Sequence, residues 1–132
     1  MKITADTNVL ARAILQDDAA QCRTAREILT GASLIAVSLP SLCELAWILR
    51  QGAKLPKEDV STAIRALLDV ENVVMNRPAV EAGLALLEAG GDFAEGILAY
   101  EGKWLGGETF VSFDKKAVTL FSKQGVTTQL LV

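Results

Sequence analysis

Four carboxylates stand where a small protein would place them to do chemistry. Asp6 ends the strand-like run that opens the chain, and Thr7 and Asn8 lead at once into a helical pattern. Asp114 closes the apolar run Phe110-Val111-Ser112-Phe113, Asp92 follows Gly90-Gly91, and Glu44 lies among Leu42, Leu45, Ala46 and Trp47. A strand that feeds directly into a helix delivers its last side chain to the carboxyl edge of a sheet, where open α/β folds place their ligands. All four acids are expected at one such edge. Two carboxylates about 4 Å apart repel by roughly 4 kcal/mol at an effective dielectric near 20, a serious cost against a total stability of about 5–15 kcal/mol. A shared cation removes that cost. The chain has no histidine, which excludes imidazole triads, histidine bases and histidine ligands together. Hard oxygen donors alone suit Mg²⁺ or Mn²⁺. Such an ion polarises a phosphate oxygen and lowers the pKa of water for in-line attack on a phosphodiester.

Each acid also has a purely structural reading. Asp6, Asp92 and Asp114 all precede helical runs and would serve as N-caps, with Glu95 reaching back in the case of Asp92. Ser41-x-x-Glu44 matches a capping box. Against that, the helix carrying Glu44 is apolar almost all round, so its carboxylate is expected to need a cation, strong hydrogen bonds or a proton. Arg12, within two turns of Asp6, is readable as a phosphate contact or as a solvated surface residue. Lys115 and Lys116 are readable as RNA guides or as ordinary surface cations. Phe93, Ile97, Tyr100 and Trp104 follow helical spacing and read as core or dimer contact rather than as a base-stacking platform.

The elements that must position these residues alternate. Strands are expected at Ile3 to Asp6, Leu34 to Ser38, Val73 to Met75, Thr109 to Phe113 and Thr127 to Val132. Helices are expected from Val9 through Ile14, at Ala19 to Leu29, Leu39 to Arg50 and Lys57 to Asp69. Others run from Arg77-Pro78 through Leu87, over Asp92 to Leu105, and over Lys115 to Lys123. Strands separated by helices require parallel pairing and right-handed crossovers. The expectation is therefore an α/β fold in three layers around a central parallel sheet, forming one domain over residues 1–132.

Composition permits this. The chain has 132 residues, 51% of them hydrophobic and 22% charged, enough to bury about two-thirds of the surface that the unfolded form exposes. No stretch is apolar for long enough to span a membrane. Asp6 and Arg12 interrupt any signal-peptide core, so the protein is expected in the cytoplasm. Cys22 and Cys43 are too few and too far apart for a disulfide framework or a zinc site. The net charge of −3 and the absence of a polybasic run leave no global nucleic-acid footprint. Several acids gathered around metal would lower the charge without lying on a substrate surface.

Taken together, Asp6-Thr7-Asn8, Glu44 in its Leu- and Trp-rich helix, Gly91-Asp92-Phe93-Ala94 and Val111-Ser112-Phe113-Asp114-Lys115 resemble the motifs of the PIN domain. The likeness is to its branch of VapC-type toxins from type II toxin–antitoxin modules, and it extends over essentially the whole chain. It implies a three-layer α/β/α fold with strand order 3-2-1-4-5 and a metal site in which Asp6, Glu44, Asp92 and Asp114 hold Mg²⁺ or Mn²⁺. It implies endoribonuclease activity on tRNA or other structured RNA. It also implies a homodimer, or a higher toxin–antitoxin assembly, silenced by a VapB-like antitoxin. Asn8 and Ser112 match polar positions near the metal, and Glu95 stands where many relatives have Asp in an Asp-Phe-Ala-Asp motif. Two other readings compete. A response-regulator receiver also holds Mg²⁺ with acids at strand ends, but it needs an acidic pair after its first strand and an Asp after its third, where this chain has Asp6 alone and Asn76. A catalytically silent PIN-like binding module is disfavoured by the presence of all four acids.

Overall fold

The computed structural model describes residues 1–132, which fold as two compact units, Met1–Arg77 and Pro78–Val132. The first unit runs β1 (Lys2–Thr4), α1 (Thr7–Leu15), α2 (Ala19–Gly31), β2 (Leu34–Ala36), α3 (Leu39–Trp47), α4 (Lys57–Leu68) and β3 (Val73–Val74). Its three strands form a parallel sheet in the order β1-β2-β3, with Ile3 opposite Ile35 and Ile35 opposite Val73. The pairing persists one residue beyond each strand, since the Ala5 and Val37 amides donate to the Ala36 and Val74 carbonyls at 3.0 Å. The strands are shorter than the sequence suggests because Asp6 and Ser38, at their expected ends, leave the sheet to cap the next helices.

Helical spacing decides what each helix buries. Leu10 and Ala11 of α1, Leu42, Leu45 and Ala46 of α3, and Val60, Ile64 and Leu68 of α4 recur every three or four residues and are buried with Ile35, Val37 and Val73. Full burial of one such side chain contributes about 1.5–3 kcal/mol. The helix expected over Leu39 to Arg50 ends as an α-helix at Trp47 and continues as a π-helical turn, Ile48–Gly52. That wider turn is invisible to 3.6-residue periodicity. Cys22 is buried and Cys43 half-buried, and neither forms a disulfide.

The second unit contains α5 (Arg77–Glu88, opening at the boundary), α6 (Phe93–Trp104), β4 (Phe110–Ser112), α7 (Lys115–Lys123) and β5 (Thr128–Leu130). Strands β4 and β5 pair in parallel, with Val111 opposite Gln129. The ladders are thus those of the 3-2-1 and 4-5 segments of the expected strand order, each in its own sheet. The Phe110 and Phe121 rings pack 4.5 Å apart between β4 and α7. No helix is long and apolar enough to cross a membrane.

Helices α5 and α6 touch backbone to backbone. A Cβ at Gly96 would stand 2.6 Å from the Ala82 carbonyl oxygen and 2.7 Å from the Gly83 Cα, and one at Gly83 would meet the Phe93 ring at 2.8 Å. Gly102, on the same helix, has open space around it. Gly96→Ala is expected to lower stability by about 2–3 kcal/mol, because backbone cannot move aside as a side chain can. Gly102→Ala should raise stability by about 0.5–1 kcal/mol through helix propensity. Urea denaturation of the two variants measures both shifts; equal effects would refute the close crossing.

Candidate active site

In the first unit the strand-to-helix turn at Asp6 is a built N-cap. Its backbone is extended, with φ −70° and ψ 155°, and Oδ1 accepts from the Thr7 amide at 2.8 Å. Thr7 is buried while Asp6 and Asn8 face solvent. Arg12 is committed elsewhere, its Nη1 donating to both Asp17 carboxylate oxygens at 3.0 Å. The surface reading of Arg12 is therefore the one the structure supports.

Glu44 departs from expectation in two ways. Helix α3 is capped by Ser38, whose Oγ accepts from the Ser41 amide at 3.3 Å, so Glu44 lies in the second turn and belongs to no capping box. It is also exposed rather than enclosed. The apolar residues around it in sequence divide by helical phase: Leu42, Leu45 and Ala46 turn inward, while Glu44 and Trp47 turn outward. Desolvation therefore does not force a cation or a proton on Glu44. Its availability rests on solvent access instead.

In the second unit the chain is steered into Asp92 by its glycines. Gly90 has φ 101° and its amide donates to the Leu87 carbonyl at 3.0 Å, while the Gly91 amide donates to the Leu86 carbonyl at 2.8 Å. This left-handed closure ends α5 and turns the chain back. A side chain at Gly91 would strike Leu86 and Leu120 at 2.8 and 2.9 Å, so both glycines are required for separate reasons. Asp92 then caps α6, with Oδ1 accepting from the Ala94 amide at 3.3 Å. Asp114 caps α7, with Oδ1 accepting from the Ala117 amide at 3.1 Å. Ser112 acts on the same turn: its Oγ accepts from the Asp114 amide at 2.9 Å and so fixes the backbone that carries the acid.

A cleft of about 150 Å³ is lined by Asp92, Glu95 and Asp114 together with Gly91, Lys116 and Leu120. Glu95 is half-buried there. Burial pushes its carboxyl above the usual value of 4.5, and the negative charges of Asp114 and Asp92 push it further in the same direction. Glu95 therefore senses both aspartates within this unit.

The model of the PIN domain family matches residues 3–117. The chain belongs to the PIN-domain family. The match spans both units and contains every acid singled out above, and the family's three-layer α/β/α class is the one expected from the sequence. No curated protein and no solved structure matches the chain. PIN domains are generally nucleases, bind RNA substrates and typically use divalent ions such as Mg²⁺.

Whether this PIN domain's own donors suit such an ion can be judged on the second unit. Asp92, Glu95 and Asp114 supply hard oxygens in one cleft, and their mutual repulsion is the kind a divalent ion relieves. Their oxygen chemistry suits a hard ion, but their spacing does not bring three of them together around one: no three acids or thiols stand close enough to share an ion. Asp6 and Asp114 follow strands directly, as the sequence suggests, and Asp92 opens a helix. Sequence reading undervalued Glu95 and Gly91. The signal for Gly91 was the glycine pair itself, since one glycine suffices to close a helix.

The raised Glu95 carboxyl carries a pH dependence. In the unfolded chain Glu95 ionises near its ordinary value, whereas the folded protein holds that proton to higher pH. Folding is therefore undisturbed by Glu95 below about 4.5, loses stability as pH rises through the raised value, and bears the full cost above it. Glu95→Gln should thus raise the metal-free melting temperature at neutral pH, and the gain should vanish as pH falls below about 4.5. Thermal scans of both proteins across pH in a chelator test this; a pH-independent difference would show that the acids do not interact.

Proposed function

We propose that this PIN domain is the metal-dependent endoribonuclease of a VapBC-type toxin–antitoxin module, acting as a single catalytic domain over residues 1–132 in the cytoplasm. Asp6, Glu44, Asp92 and Asp114 are assigned as the residues that hold Mg²⁺ or Mn²⁺, with Glu95 as an auxiliary acid and Asn8 as a polar neighbour. The observation that carries this reading is the family match, which contains all four acids in the expected order and ends only after Asp114. When bound, the ion supplies charge neutralisation for a phosphodiester and acidifies the attacking water. The protein's own contribution is to hold its acids oriented. A cap uses one carboxylate oxygen and sets the side chain against the positive end of a helix, which leaves Oδ2 of Asp6, Asp92 and Asp114 outside the cap bond. Glu95, with its raised affinity for a proton, is suited to take one up beside Asp92 and Asp114.

The substrate assigned is tRNA or another structured RNA, cut by hydrolysis. The partners assigned are a second copy of the chain, giving a homodimer or a larger toxin–antitoxin assembly, and a VapB-like antitoxin that keeps the enzyme silent. These assignments follow from the motif resemblance within the PIN family.

Asp6→Asn and Asp92→Asn separate metal holding from folding, because Asn caps a helix about as well as Asp. Each is expected to lower Mn²⁺- or Mg²⁺-dependent RNA cleavage by at least about 100-fold, the upper end of what loss of a mere outer-sphere partner costs. Melting temperatures should change little. Cleavage of a tRNA pool at wild-type rate by the folded Asp6→Asn protein would overturn the assignment.

A further inference from the structure

Helix α3 presents an indole that folding does not use. Trp47 is 64% exposed and stands three residues from Glu44 on the same outward face. Residues so spaced are neighbours, with Cβ atoms about 5–6 Å apart. Immediately after it the helix widens into the π-helical turn Ile48–Gly52, a distortion that recurs at functional sites. Single exposed apolar residues are ordinary on protein surfaces. What distinguishes Trp47 is its position beside a proposed metal-holding acid.

The chain's cations sharpen the point. A nuclease with net charge −3 must gain RNA affinity from something besides a basic surface. Its arginines are largely committed: Arg12 to Asp17, Arg26 to the Ala13 carbonyl, Arg50 to the Leu55 carbonyl and Arg77 to the Leu68 carbonyl. Guanidinium clamps on phosphate are therefore scarce. A neutral aromatic surface binds bases without any demand on charge, and stacking contributes about 1–3 kcal/mol per base. The other tryptophan is poorly suited. Trp104 is 76% exposed but donates its Nε1–H to the Tyr100 hydroxyl at 2.7 Å, and it lies twelve residues along α6 from Asp92, about 18 Å at the helical rise.

We propose that Trp47 is a stacking platform for an unpaired nucleobase of the RNA substrate, seated next to Glu44. The ligand's identity rests on the nuclease reading above; the platform rests on the exposure and placement of Trp47.

The chain has two tryptophans, so Trp104→Phe leaves Trp47 as the sole indole reporter. Titration of that protein with a short single-stranded oligoadenylate, with Ca²⁺ in place of Mg²⁺ to slow turnover, should quench its emission to saturation. The Trp47→Phe protein, reporting from Trp104, should respond little. Trp47→Ala should weaken oligoadenylate binding by about 5- to 150-fold, Trp47→Phe by much less, and neither should alter the melting temperature appreciably. Unquenched Trp47 with wild-type binding by Trp47→Ala would overturn the platform while leaving cleavage, measured separately on wild type with Mn²⁺, intact. Quenching without any cleavage would sink the nuclease reading and leave the platform standing. A Trp47→Ala protein that binds normally but sediments as a smaller species would assign the indole to a second copy of the chain and overturn the proposal.

Discussion

The contact that organises this molecule's acids is a carboxylate set against the first turn of a helix. Asp6, Asp92 and Asp114 each hold extended backbone, accept one amide hydrogen bond through Oδ1, and lie at the positive end of a helix dipole. That environment restricts the side chain's rotation. It also resolves an apparent choice between a structural acid and a functional one. A carboxylate has two oxygens and about four lone-pair directions, so a cap at one oxygen orients the other without consuming it. Asp18 is the instructive counterexample. It caps α2 through the Gln21 amide in the same way, yet it follows a helix end and no strand. Capping alone therefore marks nothing: Asp6 and Asp114 also come at the ends of parallel strands, at the edge where ligands enter, while Asp92, which follows a helix as Asp18 does, is set apart by its place in the cleft beside Asp114.

The second unit shows how packing converts that local rule into a cluster. The Gly83 and Gly96 contact lets α5 and α6 cross with no side chain between them, and Gly91 lets the connecting turn lie against Leu86 and Leu120. Each glycine gives up helix or loop stability, since glycine loses the most backbone freedom on folding. In return the start of α6 is held close to the start of α7, and Glu95 is drawn into half-burial with two acids for neighbours. The resulting charge strain persists because the apolar contacts below it, Phe93, Ile97, Ala117 and Phe121, are buried and continuous in sequence pattern. Strain of this kind is stable only when the surrounding packing over-determines it.

Much of this was readable from residue order. Strand-to-helix junctions at Asp6 and Asp114, the helix at Asp92, parallel pairing and every helix all follow from periodicity and from the residues that start and stop helices. What was not readable has common physical causes. The Glu44 environment was misjudged because a helix whose sequence neighbours are apolar still has an outward side, and one residue of phase separates buried Leu45 from exposed Glu44. Ser38 rather than Ser41 caps α3, a choice made by where β2 releases the chain. The π-helical turn depends on hydrogen-bond geometry at Ile48–Gly52, which no 3.6-residue pattern encodes. Glu95 acquires its character first from burial and then from the charges of Asp114, nineteen positions away, and Asp92, and neither the burial nor the approach of Asp114 is encoded in local sequence.

An acidic, histidine-free chain acting on an anionic polymer poses an electrostatic problem that composition cannot solve. Long-range attraction is weak or absent, so phosphate contacts cannot supply most of the affinity as they do for strongly basic binders. Two routes remain open to such a protein. One is local inversion of charge, in which a divalent ion turns a cluster of acids into the most electropositive point on the surface. The other is contact with bases rather than with backbone, which is insensitive to net charge and requires that a base be unpaired and accessible. Both routes favour single-stranded loops over regular duplex, because only there do a reachable phosphate and a splayed base occur together. On the proposed nuclease reading, the charge balance of the chain thus bears on substrate shape and points to unpaired segments of an RNA rather than to uniform duplex.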